Sequence, residues 1–153
     1  MWRKLGQESG IAATSSLQAR ITWRLGDWAQ AADALGESLR RWERLQHREW
    51  LAFDLQALAG LTITRRPGWR AAVQAARLLG AAEALRDTIN KPLPLHYRGE
   101  PAEVWSVIGT RLDEDALAAA RTKGRAMPAA WAAQNANAVV NRWLRLTRLP
   151  MAV

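Results

Sequence analysis

The stretch AARLLGAAEALRD, Ala75 to Asp87, carries alanine, glycine or leucine at almost every position able to face a neighbour. Leu78, Ala82, Leu85 and Ile89 fall at i, i+4, i+7 and i+11, one stripe of an α-helix, and Leu79 and Ala76 widen that stripe. Glycine inside a helix costs about 1 kcal/mol relative to alanine. Gly80 is therefore expected to serve a close backbone approach. A helix so rich in small residues is built to be flanked on more than one side, as the central rod of a stack of helical hairpins. Nothing in it is chemically reactive.

Around this rod the spacing predicts further helices. The first runs from about Gly10 to Leu25, with Leu17, Ile21 and Leu25 repeating every four residues on one face, which is expected to pack. Gly26 suits the left-handed position after a helix, and Asp27 suits the cap of the next. The second, about Trp28 to Leu45, places Trp28, Ala32, Leu35, Leu39 and Trp42 on one side. A turn this short makes the two helices antiparallel neighbours. The third, about Glu49 to Thr64, aligns Leu51, Leu55, Leu58 and Thr62, and Arg65-Arg66-Pro67-Gly68 breaks it. The fourth, about Trp69 to Ile89, contains the rod, with Asn90 closing it in a left-handed conformation and Pro92 preventing continuation. Asn90 to Pro101 reads as an ordered crossing loop or a boundary. A short helix over about Ala102 to Leu112 follows, then one from Glu114 to Lys123 capped by Asp113-Glu114-Asp115 and stopped by Gly124. Pro128 opens the last helix, which reaches about Arg148. No run alternates as an exposed strand would.

The expected fold is thus all-α: antiparallel helical hairpins stacked as a tetratricopeptide-like right-handed solenoid of about seven helices. Residues 1–90 form two helix pairs. Residues 91–153 supply the crossing loop and C-terminal capping helices of the same domain. The 153 residues suffice for one real core, and the 49% of apolar residues excludes a disordered chain. There is no cysteine, so neither a disulfide framework nor a thiolate metal site is available, which fits a cytoplasmic setting. No apolar run reaches the length of a membrane span.

Each of the two helix pairs is near the size of a tetratricopeptide repeat. The segments RLGDWAQAADALGESL, LAGL at Leu58 to Leu61 and AARLLGAAEALRD resemble the C-terminal tetratricopeptide region of large bacterial signal-transduction ATPases that regulate transcription, those of the LuxR type and their relatives. KPLP (Lys91 to Pro94), RLDEDALAAA (Arg111 to Ala120) and KGRAM (Lys123 to Met127) follow in the same order, so the resemblance spans about Leu17 to Met127. Met127-Pro128-Ala129-Ala130 and the ending NRWLRLTRLPMAV depart from it. The ATPase is absent, since no G-x-x-x-x-G-K-[ST] loop occurs, and no separate helix-turn-helix fits. The resemblance implies a free-standing or excised sensor-and-scaffold module that receives a signal or partner.

No constellation for catalysis emerges. His47 and His96 sit in turns far apart in the chain, and no serine or threonine stands with His47 and Asp54 as a triad requires. Asp113, Glu114 and Asp115 lack the alternating ligands of a calcium loop and read as a helix cap. The chain is therefore expected to be non-enzymatic, without metal or cofactor, and to bind a protein or peptide partner or a small effector. The first helices of the two pairs are expected to line the concave groove, which nominates Arg20, Arg24, Asp54 and Arg65. A second reading starts from the net charge of +8 and the nine tryptophans. Trp23, Trp42, Trp69 and Trp143 each adjoin an arginine, and aromatic rings interleaved with arginine can stack bases and neutralise phosphates. Arg66, Trp69 and Arg70 are its candidate contacts. Packing of tryptophan between helices, with arginine across the ring, is the ordinary alternative. Arg142, Arg145 and Arg148 suit a basic amphipathic helix that lies on a membrane or meets an acidic partner, or a helix that simply caps the last groove of the stack, and the cap is the expectation.

Overall fold

A computed structural model describes residues 2–148, apart from the side chains of residues 2, 143 and 146–148. Of the readings above, those on Trp143, Arg148 and the chain beyond 148 lie outside the described side chains or residues. Among the described residues the chain is all-helical, without strands: α1 (Trp2–Arg24), α2 (Trp28–Leu45), α3 (Arg48–Arg65), α4 (Trp69–Ile89), α5 (Gly99–Arg111), α6 (Glu114–Arg125) and α7 (Ala129–Arg148), with a 3₁₀ turn at Leu95–Tyr97. No helix among them is long and apolar enough to cross a membrane.

The breaks form by the chemistry their residues carry. Gly26 takes φ +85°, the amides of Gly26 and Asp27 bond back to Trp23 and Thr22, and the Asp27 carboxylate accepts from the Gln30 amide. Asn90 closes α4 at φ 51°, ψ 41°, and Asp113 caps α6 by accepting from the Ala116 amide at 2.7 Å. α1 begins earlier than its apolar spacing indicates, at Trp2 rather than near Gly10.

α1 packs along α2, and α3 along α4, each pair joined by a tight turn. α2 and α3 unite the pairs. α4 lies in the middle, touching α3, α5, α6 and α7, and Leu78, Leu79, Ala82 and Leu85 are buried. The rod expected from the sequence is therefore present. α6 packs chiefly on α4 and only lightly on α5, and α7 returns to lie along α2 while touching α3 and α4.

Two expectations are corrected. Leu17, Ile21 and Leu25 do share a face of α1, but it is the bare one, 46%, 60% and 79% exposed. The packed face carries Ala12, Ser16 and Ala19, with Trp23 half-buried beside them. The reason is size. α2 brings Leu35, Leu39 and Trp42 to the core, and small residues on α1 let it approach those large ones, with the Trp42 indole N–H donating to Ser16 Oγ at 3.0 Å. Gly124 does not stop α6, which continues to Arg125. Gly124 and Gly80 instead face each other's helices where α4 and α6 cross. A Cβ on Gly80 would strike the Arg121 carbonyl, and one on Gly124 the Arg77 carbonyl. Gly80 thus serves the close approach expected of it.

Candidate binding site

Two of the nominated groove residues meet in the interior. Arg20 on α1 and Asp54 on α3 are both buried, and they anchor two linked polar clusters. In the first, one Arg20 nitrogen donates to the Phe53 carbonyl at 2.9 Å and to Glu100 Oε1 at 3.2 Å, with the guanidinium 3.3 Å from the centroid of the Phe53 ring. Gln56 also donates to Glu100 Oε1, and Arg86 donates to Gln56 Oε1 at 2.7 Å. One carboxylate from the start of α5 therefore ties α1, α3 and α4 to the end of the crossing loop. Burial pushes the Arg20 pKa down, opposed by the charges of Glu100 and Asp54.

The second cluster surrounds Asp54. Its Oδ2 lies 2.5 Å from Ser38 Oγ, and Ser38 Oγ lies 3.1 Å from the Leu35 carbonyl. Ser38 has one proton for two acceptors. When protonated, Asp54 can donate to Ser38, which then donates to the Leu35 carbonyl; when ionised, it accepts from Ser38 instead. Burial raises the Asp54 carboxyl from its ordinary 3.8 to about 7, against the pull of hydrogen bonds from Ser38 and Ser16 and the charge of Arg20. The folded-state pKa exceeds the unfolded one, so the folded protein holds this proton more tightly. Asp54 thus contributes stability that is complete below the unfolded pKa and lost as pH rises through about 7. Urea unfolding at a series of pH values is expected to show a midpoint that falls between about pH 4 and pH 7, and Asp54→Asn is expected to flatten that fall. An unchanged slope in the variant would show that Asp54 is ionised throughout.

Beside these clusters runs a row of rings. Trp42 stacks on Trp50 at 5.2 Å, Trp50 meets Phe53 edge-on at 5.5 Å, and Phe53 meets Tyr97 edge-on at 5.1 Å. Trp50, Phe53 and Tyr97 wall an open cavity of about 290 Å³ together with Arg86, Lys91 and the Pro92–Pro94 segment of the crossing loop. His47 at its rim caps α3 and tilts against Trp42, and its Nδ1 accepts from the Trp50 amide at 3.5 Å.

The other nominated residues lie elsewhere. Arg24 is exposed and lines a second groove with Trp28, Thr64 and Glu103; Arg65 is exposed with its guanidinium 5.9 Å from the Trp28 ring. Trp69 is 61% exposed, Arg70 stands 5.5 Å from its ring, and the Arg66 carbonyl accepts from Arg111 at 2.8 Å, all at the α3–α4 turn. Trp42 is core, and Trp28 is half-buried.

Glu100, Gln56, Arg86 and Tyr97 were not among the nominated residues. Gln56 carried a usable signal, a polar side chain inside the apolar run LQALAGL. Glu100 joins Arg20 across 80 positions, a separation that periodicity does not address. Among the described residues no group of three or more His, Asp or Glu side chains is placed to hold a metal ion. No protein-family model, curated protein or solved structure matches the chain.

Proposed function

We propose that the chain is a non-catalytic, tetratricopeptide-like scaffold or sensor module, and that the bare face of α1 docks an amphipathic helix with acidic flanks from a protein partner. The observation that carries this is the uncovered apolar stripe of α1. Gln7, Ile11, Thr14, Gln18, Ile21 and Leu25 follow a spacing of four, three, four, three and four, the seam of a helix that receives another helix. Leu17 widens it. Scattered exposed leucines need no explanation, but Leu17, Ile21 and Leu25 adjoin one another at the C-terminal end of one edge helix, with Ile11 further along the same side and Gln7, Thr14 and Gln18 between, and such an exposed apolar cluster rimmed by polar residues suits an interaction surface. Charge suits it: Arg3 and Arg24 are exposed on α1, while α1's Glu8 turns to α2 and meets Arg41 and Arg44 at 3.8 and 3.4 Å. The resemblance to regulator repeat regions supports the same role, in the cytoplasm of a bacterium, upstream of a transcriptional output.

The nucleic-acid reading is weaker because much of the positive charge is spent internally. Arg121 and Arg125 pair with Glu83 and Asp87, Arg20 with Glu100, and Arg111 bonds the carbonyls of Ile63 and Arg66. What favours it is the corner holding Arg65, Trp69 and Arg70.

A labelled amphipathic helical peptide, leucine at its seam and glutamate beside it, tests the proposal by anisotropy. Binding is expected in the micromolar range, weakened at least about tenfold by Ile21→Glu with Leu25→Glu and by a lysine-flanked peptide. A labelled single strand is expected to be released by about physiological salt. Equal binding of both peptides to both proteins overturns the docking role. Single-strand binding that survives that salt and drops in Arg65→Ala, Arg66→Ala, Arg70→Ala replaces it with the nucleic-acid role.

A further inference from the structure

The cavity between the start of α3, the end of α4 and the crossing loop has walls of a definite chemistry. Trp50, Phe53 and Tyr97 offer aromatic surface, and Pro92 and Leu93 close the opposite side. Arg86 enters this apolar setting half-buried, and its guanidinium makes its one hydrogen bond among the described residues to a neutral acceptor, Gln56 Oε1. The second cation at the rim is already neutralised: Lys91 Nζ lies 3.0 Å from Glu49 Oε2. Glu83 and Glu100 act on Arg86 through space, but each is already in contact with another arginine, and no carboxylate touches Arg86 itself. The cavity walls therefore present one cation without a carboxylate in contact, held by a planar fork of donors beside flat rings.

We propose that this cavity is a binding site for a small aromatic monocarboxylate, whose ring lies among Trp50, Phe53 and Tyr97 and whose carboxylate is taken by Arg86. A dianion such as phosphate would meet Glu49 as well as Arg86 and leave the rings unused. A neutral aromatic would make no charge-assisted hydrogen bond with the guanidinium. The volume of about 290 Å³ is at the small end of ligand pockets, suited to a one- or two-ring acid. Burial lowers the pKa of Arg86 and Arg20 adds to the fall, while the charges of Glu83 and Glu100 only partly oppose it, so an anion placed there favours the charged guanidinium. The site is also placed to report occupancy. Arg86 reaches Glu100 through Gln56, and Glu100 holds Arg20 of α1.

Indole-3-acetate and indole-3-acetamide, compared by calorimetry and ligand-observed NMR on the native protein, test this. The acid is expected to bind at least about tenfold more tightly than the amide, since the amide cannot answer the guanidinium charge. Arg86→Gln is expected to remove that preference, while Lys91→Ala changes affinity by less than about threefold. Equal affinity for acid and amide, competition by inorganic phosphate as strong as that of the acid, or no binding of either up to about 10 mM would each overturn the site. The acid-against-amide comparison needs no variant, so it stands even where Arg86→Gln fails to fold. It uses none of the α1 face, so its failure and that of the docking role are separate results.

Discussion

Gly124→Ala is expected to destabilise the fold by about 3 kcal/mol, the upper end of what overpacking costs, and Gly80→Ala by a similar amount. A methyl group in a helix normally stabilises by up to about 1 kcal/mol, so the sign itself is informative. At both positions the added Cβ meets backbone: the Arg121 carbonyl and the Arg125 amide at Gly80, and the Arg77 carbonyl and Cα at Gly124. Backbone cannot rotate away as a side chain can, so α6 must lift from α4. Arg121 and Arg125 then lose their reach to Glu83 and Asp87 across the same crossing. Gly109 is the matched control. It lies inside α5 with nothing within 4 Å of its Cβ direction, and Gly109→Ala is expected to raise stability by about 0.5 kcal/mol. Thermal unfolding separates the cases, with Tm falling by about 6–12 °C for Gly80 and Gly124 and rising slightly for Gly109. A double Gly80→Ala, Gly124→Ala variant should cost less than the sum, because one separation of the helices relieves both collisions.

Arg20→Met is expected to cost about 3–5 kcal/mol, because it leaves Glu100 charged and nearly buried. Glu100 has 11% of its side chain exposed and, among the described residues, would keep the Gln56 amide as its one hydrogen-bond partner. The variant also removes the donor to the Phe53 carbonyl and the cation over the Phe53 ring. Glu100→Gln is expected to cost less, since the neutral amide can still accept from Arg20. In the Arg20→Met background the same change should recover stability, because no uncompensated carboxylate remains. Chemical denaturation of the four proteins gives the coupling directly. Additive losses would mean that the pair is hydrated and contributes little.

How far the sequence disclosed this molecule depends on which physical signal each feature left. Helix ends were legible because their chemistry is local: Gly26, Asp27, Asn90 and Asp113 act on amides within a few positions. The central rod was legible because small residues on several faces have one use. The packed face of α1 was not, because the large apolar residues occupy one side and small ones, alanine and serine, the other. Spacing alone favours the leucines, and only the bulk of Trp42 and Leu39 on α2 shows that Ser16 and Ala19 are the ones that fit. Gly124 is the penultimate residue of its helix, where stopping it and letting another backbone approach look alike in sequence. Of the candidate site residues, Arg20 and Asp54 were singled out, but as groove lining. Their burial follows from partners far along the chain, Glu100 and Ser38, that a helical repeat does not connect. Arg86 looked like an ordinary basic residue in a last turn. Its meaning arises only when the crossing loop brings rings to its side.

The most direct test of the proposed role is the amide hydrogen-exchange footprint of the bound acidic helical peptide on the native protein. Docking on α1 predicts added protection concentrated between Thr14 and Leu25, with the α3–α4 turn around Arg66 to Arg70 unchanged. Protection centred on that turn, or none on α1, would contradict it.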